Sequence, residues 1–155
     1  MNDILTYLLP LAITGLIISA VFFTVKKNDI IKNYKQPNSH KIKNIKGLII
    51  DSNGLLRQKV QWCNFEILIN ENSIFIFPRS FYVIPIQSIN LIFSNSNRKF
   101  TRSPQLLREI IINKYSVDFI YYPPFLVSGK RTIRLQNLNS EEIKIFEDLK
   151  TQKNY

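Results

Sequence analysis

At 155 residues the chain has room for one domain and one accessory segment. A single cysteine excludes an internal disulfide, and with a single histidine no Cys/His cluster reaches zinc spacing. The net charge of +10 accompanies a composition heavy in Lys, Asn and Ile, so a genomic bias explains part of it without a polyanionic partner.

The first element is apolar. Ile4 to Val25, "ILTYLLPLAITGLIISAVFFTV", carries no charged residue. A membrane span needs roughly 20 mostly apolar residues, and Pro10 and Gly15 are tolerated in one. The competing reading is a cleaved signal peptide, which wants a basic start, a shorter apolar run and a small-x-small cleavage site. "MND" has no Lys or Arg, the run is too long, and only Ser19-Ala20 suggests cleavage. Residues 1–27 are therefore expected to be a transmembrane anchor.

Lys26, Lys27, Lys32, Lys35, Lys41, Lys43 and Lys46 follow the apolar run, against Asp29 alone. Basic flanks stay on the cytoplasmic side. The expectation is a single-pass protein of the inner (cytoplasmic) membrane, with a short amino terminus outside and the rest of the chain in the cytoplasm. The seven lysines are candidates for contact with anionic lipid; a plain stop-transfer flank explains them equally well. Residues 28–46 read as a basic linker in which helix continues through Tyr34 until Pro37 ends it, leaving a mobile tether.

From Gly47 the period changes to two. "KGLIID" reads as a short strand, "SNG" as a turn, and Leu56 to Asn70 as a longer strand carrying Trp62, Phe65, Ile67 and Ile69. "SIFIF" follows, "PRS" breaks the run, and "FYVIP" resumes it, with Pro85 marking an edge or a border. "QSINLIFS" alternates, and "NSNRKFTRSPQ" is the longest loop. "REIIINKYSVDFIYYP" supplies one or two strands with a hairpin near Asn113 to Ser116, and "RTIRLQ" is the last strand. About six to eight strands without crossover helices predict an antiparallel sandwich or barrel. "LNSEEIKIFEDLKTQK" is then an amphipathic helix. Asn139 is its N-cap, Glu142 closes a capping box, and Leu138 staples to Ile143.

An all-β run of about seven strands closed by one carboxyl-terminal helix resembles the pleckstrin-homology (PH) superfold, particularly the small PH-like domains that bacteria attach to membrane helices. The stretches carrying the resemblance are "FYVIPIQSINLIF" and "RTIRLQNLNSEEIKIFEDL". It implies a PH-like domain over 47–155 whose helix plugs one open end of a bent sheet, with Phe146 and Leu149 inside. Phosphoinositide-binding members carry a basic cluster between their first two strands; here that loop is "NEN" or "DSNG", without Lys or Arg.

The catalytic inventory is thin. His40 reads as a solvated linker residue and Cys63 as a buried structural thiol. The four glycines form no phosphate-cradling loop, and Asp51, Glu66, Glu109 and Asp118 are scattered. No catalytic, metal or cofactor residue is assigned. The loop of Arg98, Lys99, Phe100 and Arg102 is a candidate ligand or partner contact, or else an ordinary solvated basic loop. "FIYYPPF", Phe119 to Phe125, is either interaction surface or core. The reading is a non-enzymatic, membrane-tethered interaction or scaffold module with a protein partner and no nucleic acid. The alternative is an apolar-ligand or lipid-binding β-barrel.

Overall fold

In a computed structural model of the chain, residues 2–53, 57–100, 103–124, 126 and 129–153 are described; the side chains of residues 2–7 and of Lys99 and Phe100 lie outside that description. Helix α1 spans Asn2–Tyr34. Strands β1 (His40–Asn53), β2 (Arg57–Ile69), β3 (Ser73–Ser80), β4 (Ile84–Pro85) and β5 (Ile89–Ile92) follow. A 3-10 turn at Asn95–Phe100 leads to β6 (Gln105–Asn113), β7 (Ser116–Tyr121), β8 (Gly129–Gln136) and helix α2 (Ser140–Lys153).

The strands run in the order β2-β1-β8-β7-β6-β5-β3, and β2 pairs with β3 to close the ring. The result is a seven-stranded barrel, with β4 attached to the outer edge of β3. Pro85 lies in that edge strand, where a missing donor costs no ladder bond. Among the described residues all pairings are antiparallel except β5 with β6, which run parallel over Leu91↔Gln105 and Ile92↔Leu106. The sheet is thus mixed rather than purely antiparallel, because the chain crosses from one barrel end to the other between β5 and β6.

Two boundaries differ from the sequence reading. Strand β1 begins at His40, not Gly47, and its register with β2 shifts between Ile42 and Ile45. Asn44 sits in that bulge at φ 60°. The extra residue spaces Ile42 and Ile45 by three, which hides the period of two. Strand β3 also continues through "PRS" to Ser80. Pro78 gives up a donor there, and its carbonyl accepts from the Ile86 N–H at 3.1 Å.

The barrel interior is filled by side chains that alternate inward. Phe65, Ile67, Ile74, Ile76, Leu91, Val117, Phe119, Ile133 and Leu135 are all fully buried. Each such Phe or Ile contributes about 1.5–3 kcal/mol relative to exposure. Helix α2 closes the end formed by the carboxyl ends of β2, β5, β6 and β8. Phe146 meets Phe119 edge to face with ring centroids 5.6 Å apart. Its start is the capping box read from sequence: the Asn139 N–H donates to Glu142 Oε2 at 2.9 Å, and the Glu142 N–H to Asn139 Oδ1 at 2.8 Å. Leu138, Ile143, Phe146 and Leu149 are buried. The opposite end, formed by the carboxyl ends of β1, β3 and β7 and the amino ends of β2, β5, β6 and β8, has no such helix across it among the described residues and is called the mouth below.

Candidate functional site

Helix α1 is long and apolar enough to cross a membrane. Its most apolar 18-residue window has a mean hydropathy of 2.3, and none of that window is buried in the molecule. The hydroxyls of Thr14, Ser19 and Thr24 donate to the carbonyls of Pro10, Gly15 and Ala20, so these polar groups are satisfied within the helix. The 33 residues rise about 50 Å, against about 30 Å of bilayer hydrocarbon. The surplus lies on the barrel.

That docked part packs on the outer face of β2 and β3. Ile30 is buried against Leu68, Phe75 and Phe77, with Ile31 and Tyr34 beside it. Tyr34 stacks on Phe75 at 5.2 Å between ring centroids. Lys27 Nζ donates to Glu66 Oε2 at 3.1 Å, Lys41 Nζ reaches Glu66 Oε1 at 2.7 Å, and Arg79 lies 3.8 Å away. Burial pushes the Glu66 carboxyl up, but the hydrogen bonds and charges of Lys41 and Lys27 more than offset it. Its pKa is held below the ordinary value.

The segment expected to be a mobile tether is fastened. Asn70 Nδ2 donates to the Tyr34 carbonyl at 2.7 Å, and Ser39 Oγ lies 2.6 Å from Asn70 Oδ1. The Gln36 N–H donates to Ser39 Oγ at 2.7 Å, and Gln36 Oε1 accepts from the Glu71 N–H at 3.0 Å. Residues 28–46 are therefore helix through Tyr34, a clasped turn, and strand from His40.

At the mouth, Arg131 grips Asp51 with two hydrogen bonds, Nε to Oδ1 at 2.5 Å and Nη2 to Oδ2 at 2.6 Å. Burial pulls the pKa of the Arg131 guanidinium down, but Asp51 and Tyr121 more than offset it and hold it above the ordinary value. Burial pushes the Tyr121 hydroxyl up to about 12, with Arg131 opposing. A cleft of about 330 Å³ opens here, lined among others by Ile49, Gln61, Ile89, Tyr121 and Arg131. A second cleft, of about 140 Å³, lies between α1 and the β3–β4 hairpin, with Phe23, Lys26, Arg79, Val83, Pro85 and Ile86 in its wall.

The mouth is also where apolar side chains face outward. Outside α1, the exposed large apolar residues among those described are Val60, Trp62, Phe81, Tyr82, Val83, Tyr115 and Tyr122, and all but Tyr115 lie at this end. Phe81 and Tyr82 form the β3–β4 turn with φ angles of 47° and 67°. The Val83 N–H donates to the Ser80 carbonyl at 3.1 Å. Two consecutive positive φ angles are the signature of a type I′ turn, normally given to Asn-Gly. Bulky residues there cost about 1–2 kcal/mol each.

The basic candidates are dispersed rather than gathered. Lys26 and Lys27 adjoin the apolar run, but Lys27 is engaged by Glu66, as is Lys41. Lys32 is exposed farther along α1 and Lys35 just after its end, toward the plugged end, and Lys43 and Lys46 are exposed on β1. Arg98 is exposed in the 3-10 turn; the side chains of Lys99 and Phe100, and Arg102 altogether, lie outside the described residues. "FIYYPPF" divides: Phe119 and Tyr121 are core and Tyr122 is exposed. His40 is exposed at the start of β1. Cys63 is fully buried, and burial pushes its thiol up to about 11.

The exposed group of Trp62, Phe81, Tyr82 and Val83 is not singled out by the sequence pattern, in which "FYVIP" reads as strand interior. The available signal is an aromatic pair bracketed by Pro78 and Pro85. No family model, no curated protein and no solved structure matches the chain.

Proposed function

We propose that the protein is a non-enzymatic, single-pass membrane module that presents a PH-like barrel at the cytoplasmic face for a protein partner. The observation that carries this reading is the continuity of α1. One helix is bare and apolar in its first part and docked on the barrel through Lys27, Ile30 and Tyr34 in its last. Lys26 and Lys27 at the border favour a cytoplasmic barrel. Confining the barrel to a membrane raises its effective concentration toward other membrane proteins, so a modest intrinsic affinity suffices. A closed barrel with a helix across one end is in keeping with the PH superfold, and the parallel β5–β6 pair is its departure from an all-antiparallel design.

Protease added to intact cells is expected to leave the barrel uncut, and protease added to opened cells to digest it. Cross-linking in native membranes is expected to capture one defined partner. Replacing α1 by an unrelated span that lacks Lys27, Ile30 and Tyr34 is expected to abolish that capture. External digestion, or capture indifferent to the replaced helix, counts against the proposal.

A second reading is an apolar ligand or lipid entering the mouth, favoured by the cleft beside Ile49, Ile89 and Tyr121. Among the described residues the interior is filled by side chains, so such a ligand would sit in that outer cleft rather than inside the barrel. Native mass spectrometry of the full chain, released from detergent, reads it directly as a retained mass.

A further inference from the structure

Strand β3 and helix α1 run side by side in opposite directions, and their contacts keep step. Tyr34 meets Phe75, Ile30 is buried in one cluster with Phe75 and Phe77, and Lys27 reaches Glu66, the residue opposite Phe77 on β2. Farther on, Phe23 shares a cleft with Val83, Pro85 and Ile86. Two residues of strand advance about 6.6 Å and one helical turn about 5.4 Å, so each pair of β3 residues matches roughly one turn of α1. Continued by two steps beyond Phe77 and Ile30, this register brings the turn at Phe81 and Tyr82 level with Phe22 and Phe23. That is the last turn of the apolar run before Lys26. Trp62 lies at the same level, since its carbonyl accepts from the Phe81 N–H at 3.3 Å.

We infer that the β3–β4 tip, Phe81-Tyr82-Val83 together with Trp62, seats in the interfacial layer of the bilayer that α1 crosses, as a second membrane contact that holds the mouth of the barrel against lipid. The inference rests on α1 being the anchor proposed above. Three independent features converge on it. Phe81 and Val83 are 76% and 75% exposed, and Trp62 55%, a degree of exposure that water disfavours and an interface accepts. Trp and Tyr concentrate at the headgroup level of membranes, where an apolar ring and a polar edge are both satisfied. Phe81 and Tyr82 occupy backbone positions that Asn-Gly would fill without strain, so the tip sacrifices local stability to keep aromatic side chains outward.

The surrounding charge fits the same occupant. Lys26 and Arg79 flank the tip in the cleft wall, and Arg57, Lys59 and Lys130 are exposed at the same end. Asp51, the acid beside the mouth cleft, is engaged by Arg131. An anionic leaflet therefore meets cations around an apolar centre, the arrangement of an interfacial anchor.

Trp62 is the only tryptophan of the chain, so its fluorescence reports the tip without labelling. The full chain is reconstituted in vesicles of phosphatidylcholine and phosphatidylglycerol whose acyl chains are brominated either near the headgroup or near the terminal methyl. Bromine near the headgroup is expected to quench most of the Trp62 emission, and bromine near the methyl much less. In Phe81→Asn/Tyr82→Gly, which suits the turn better, the thermal midpoint is expected to rise while the headgroup-level quenching falls. Carbonate washing of the same vesicles reads the anchor separately. A chain that resists carbonate but keeps unquenched Trp62 emission overturns the second contact and leaves the anchor standing. Quenching of the double variant as strong as that of the original chain overturns the second contact in the same way. A chain that carbonate releases overturns both.

Discussion

Lys27 of α1 and Glu66 of β2, 39 residues apart in the chain, meet at 3.1 Å on the outer wall of the barrel. The carboxylate they share with Lys41 is only 8% exposed, so it links the apolar helix to β2 and, through Lys41, to β1. Glu66→Gln is expected to lower the stability of the full chain by about 1–2 kcal/mol, since both lysines can still turn to water. The pH dependence has a definite sign. A depressed carboxyl pKa stabilises the fold above the ordinary unfolded value and loses that contribution as pH falls through the folded one. The gap between Glu66→Gln and the original chain is therefore expected to be full at neutral pH and to close below about pH 4. Denaturant titrations in micelles at both pH values, followed by Trp62 fluorescence, measure it.

Phe146 carries the plug. Its side chain is fully buried and edge-on to Phe119, so Phe146→Ala opens a cavity that the surrounding strands cannot collapse into. The expected loss is about 3–5 kcal/mol. The same titration detects it as a lower midpoint with nearly unchanged slope.

Tyr82→Gly is expected to act in the opposite direction. Tyr82 holds a φ of 67°, which glycine adopts freely. Relief of that strain, less the extra freedom of glycine in the unfolded chain, is expected to leave a gain of about 1 kcal/mol. A thermal melt that falls instead would show that the ring makes native contacts worth more than the strain.

Cys63 is expected to stay silent toward thiol reagents in the folded protein. Burial raises its thiol to about 11, so the reactive thiolate is scarce at mildly alkaline pH as well as inaccessible. Labelling is expected to track unfolding across a denaturant series. Rapid labelling without denaturant would contradict the buried placement.

The parts of the fold legible in the sequence are those with an uninterrupted period. The apolar run of α1, the alternation of Phe65, Ile67 and Ile69, and the Asn139–Glu142 capping box each depend on neighbours in the chain. The start of β1 is hidden because the bulge at Asn44 spaces Ile42 and Ile45 like a helix face. The clasp of residues 35–39 is hidden because Asn70, which fastens it, arrives from another hairpin. The parallel β5–β6 pair has no local signature at all. For the site, the lysines are visible but their partner is not, since Glu66 meets Lys27 and Lys41 only after three elements assemble. The aromatic tip passes for strand because a period-two pattern does not distinguish a strand from the turn that ends it.

The narrow ladder between β5 and β6 has a mechanical consequence. Among the described residues Leu91–Ile92 and Gln105–Leu106 make up that junction, while β1 and β2 are zipped along nearly their entire lengths. The ring is therefore a split hoop, and α2, which touches β6 and β7 and reaches Phe93 through Lys153, is the buckle beside the split. Peeling α2 away is expected to release the hoop at that seam first, so the ladder amides between β5 and β6 are expected to exchange with deuterium before those between β1 and β2.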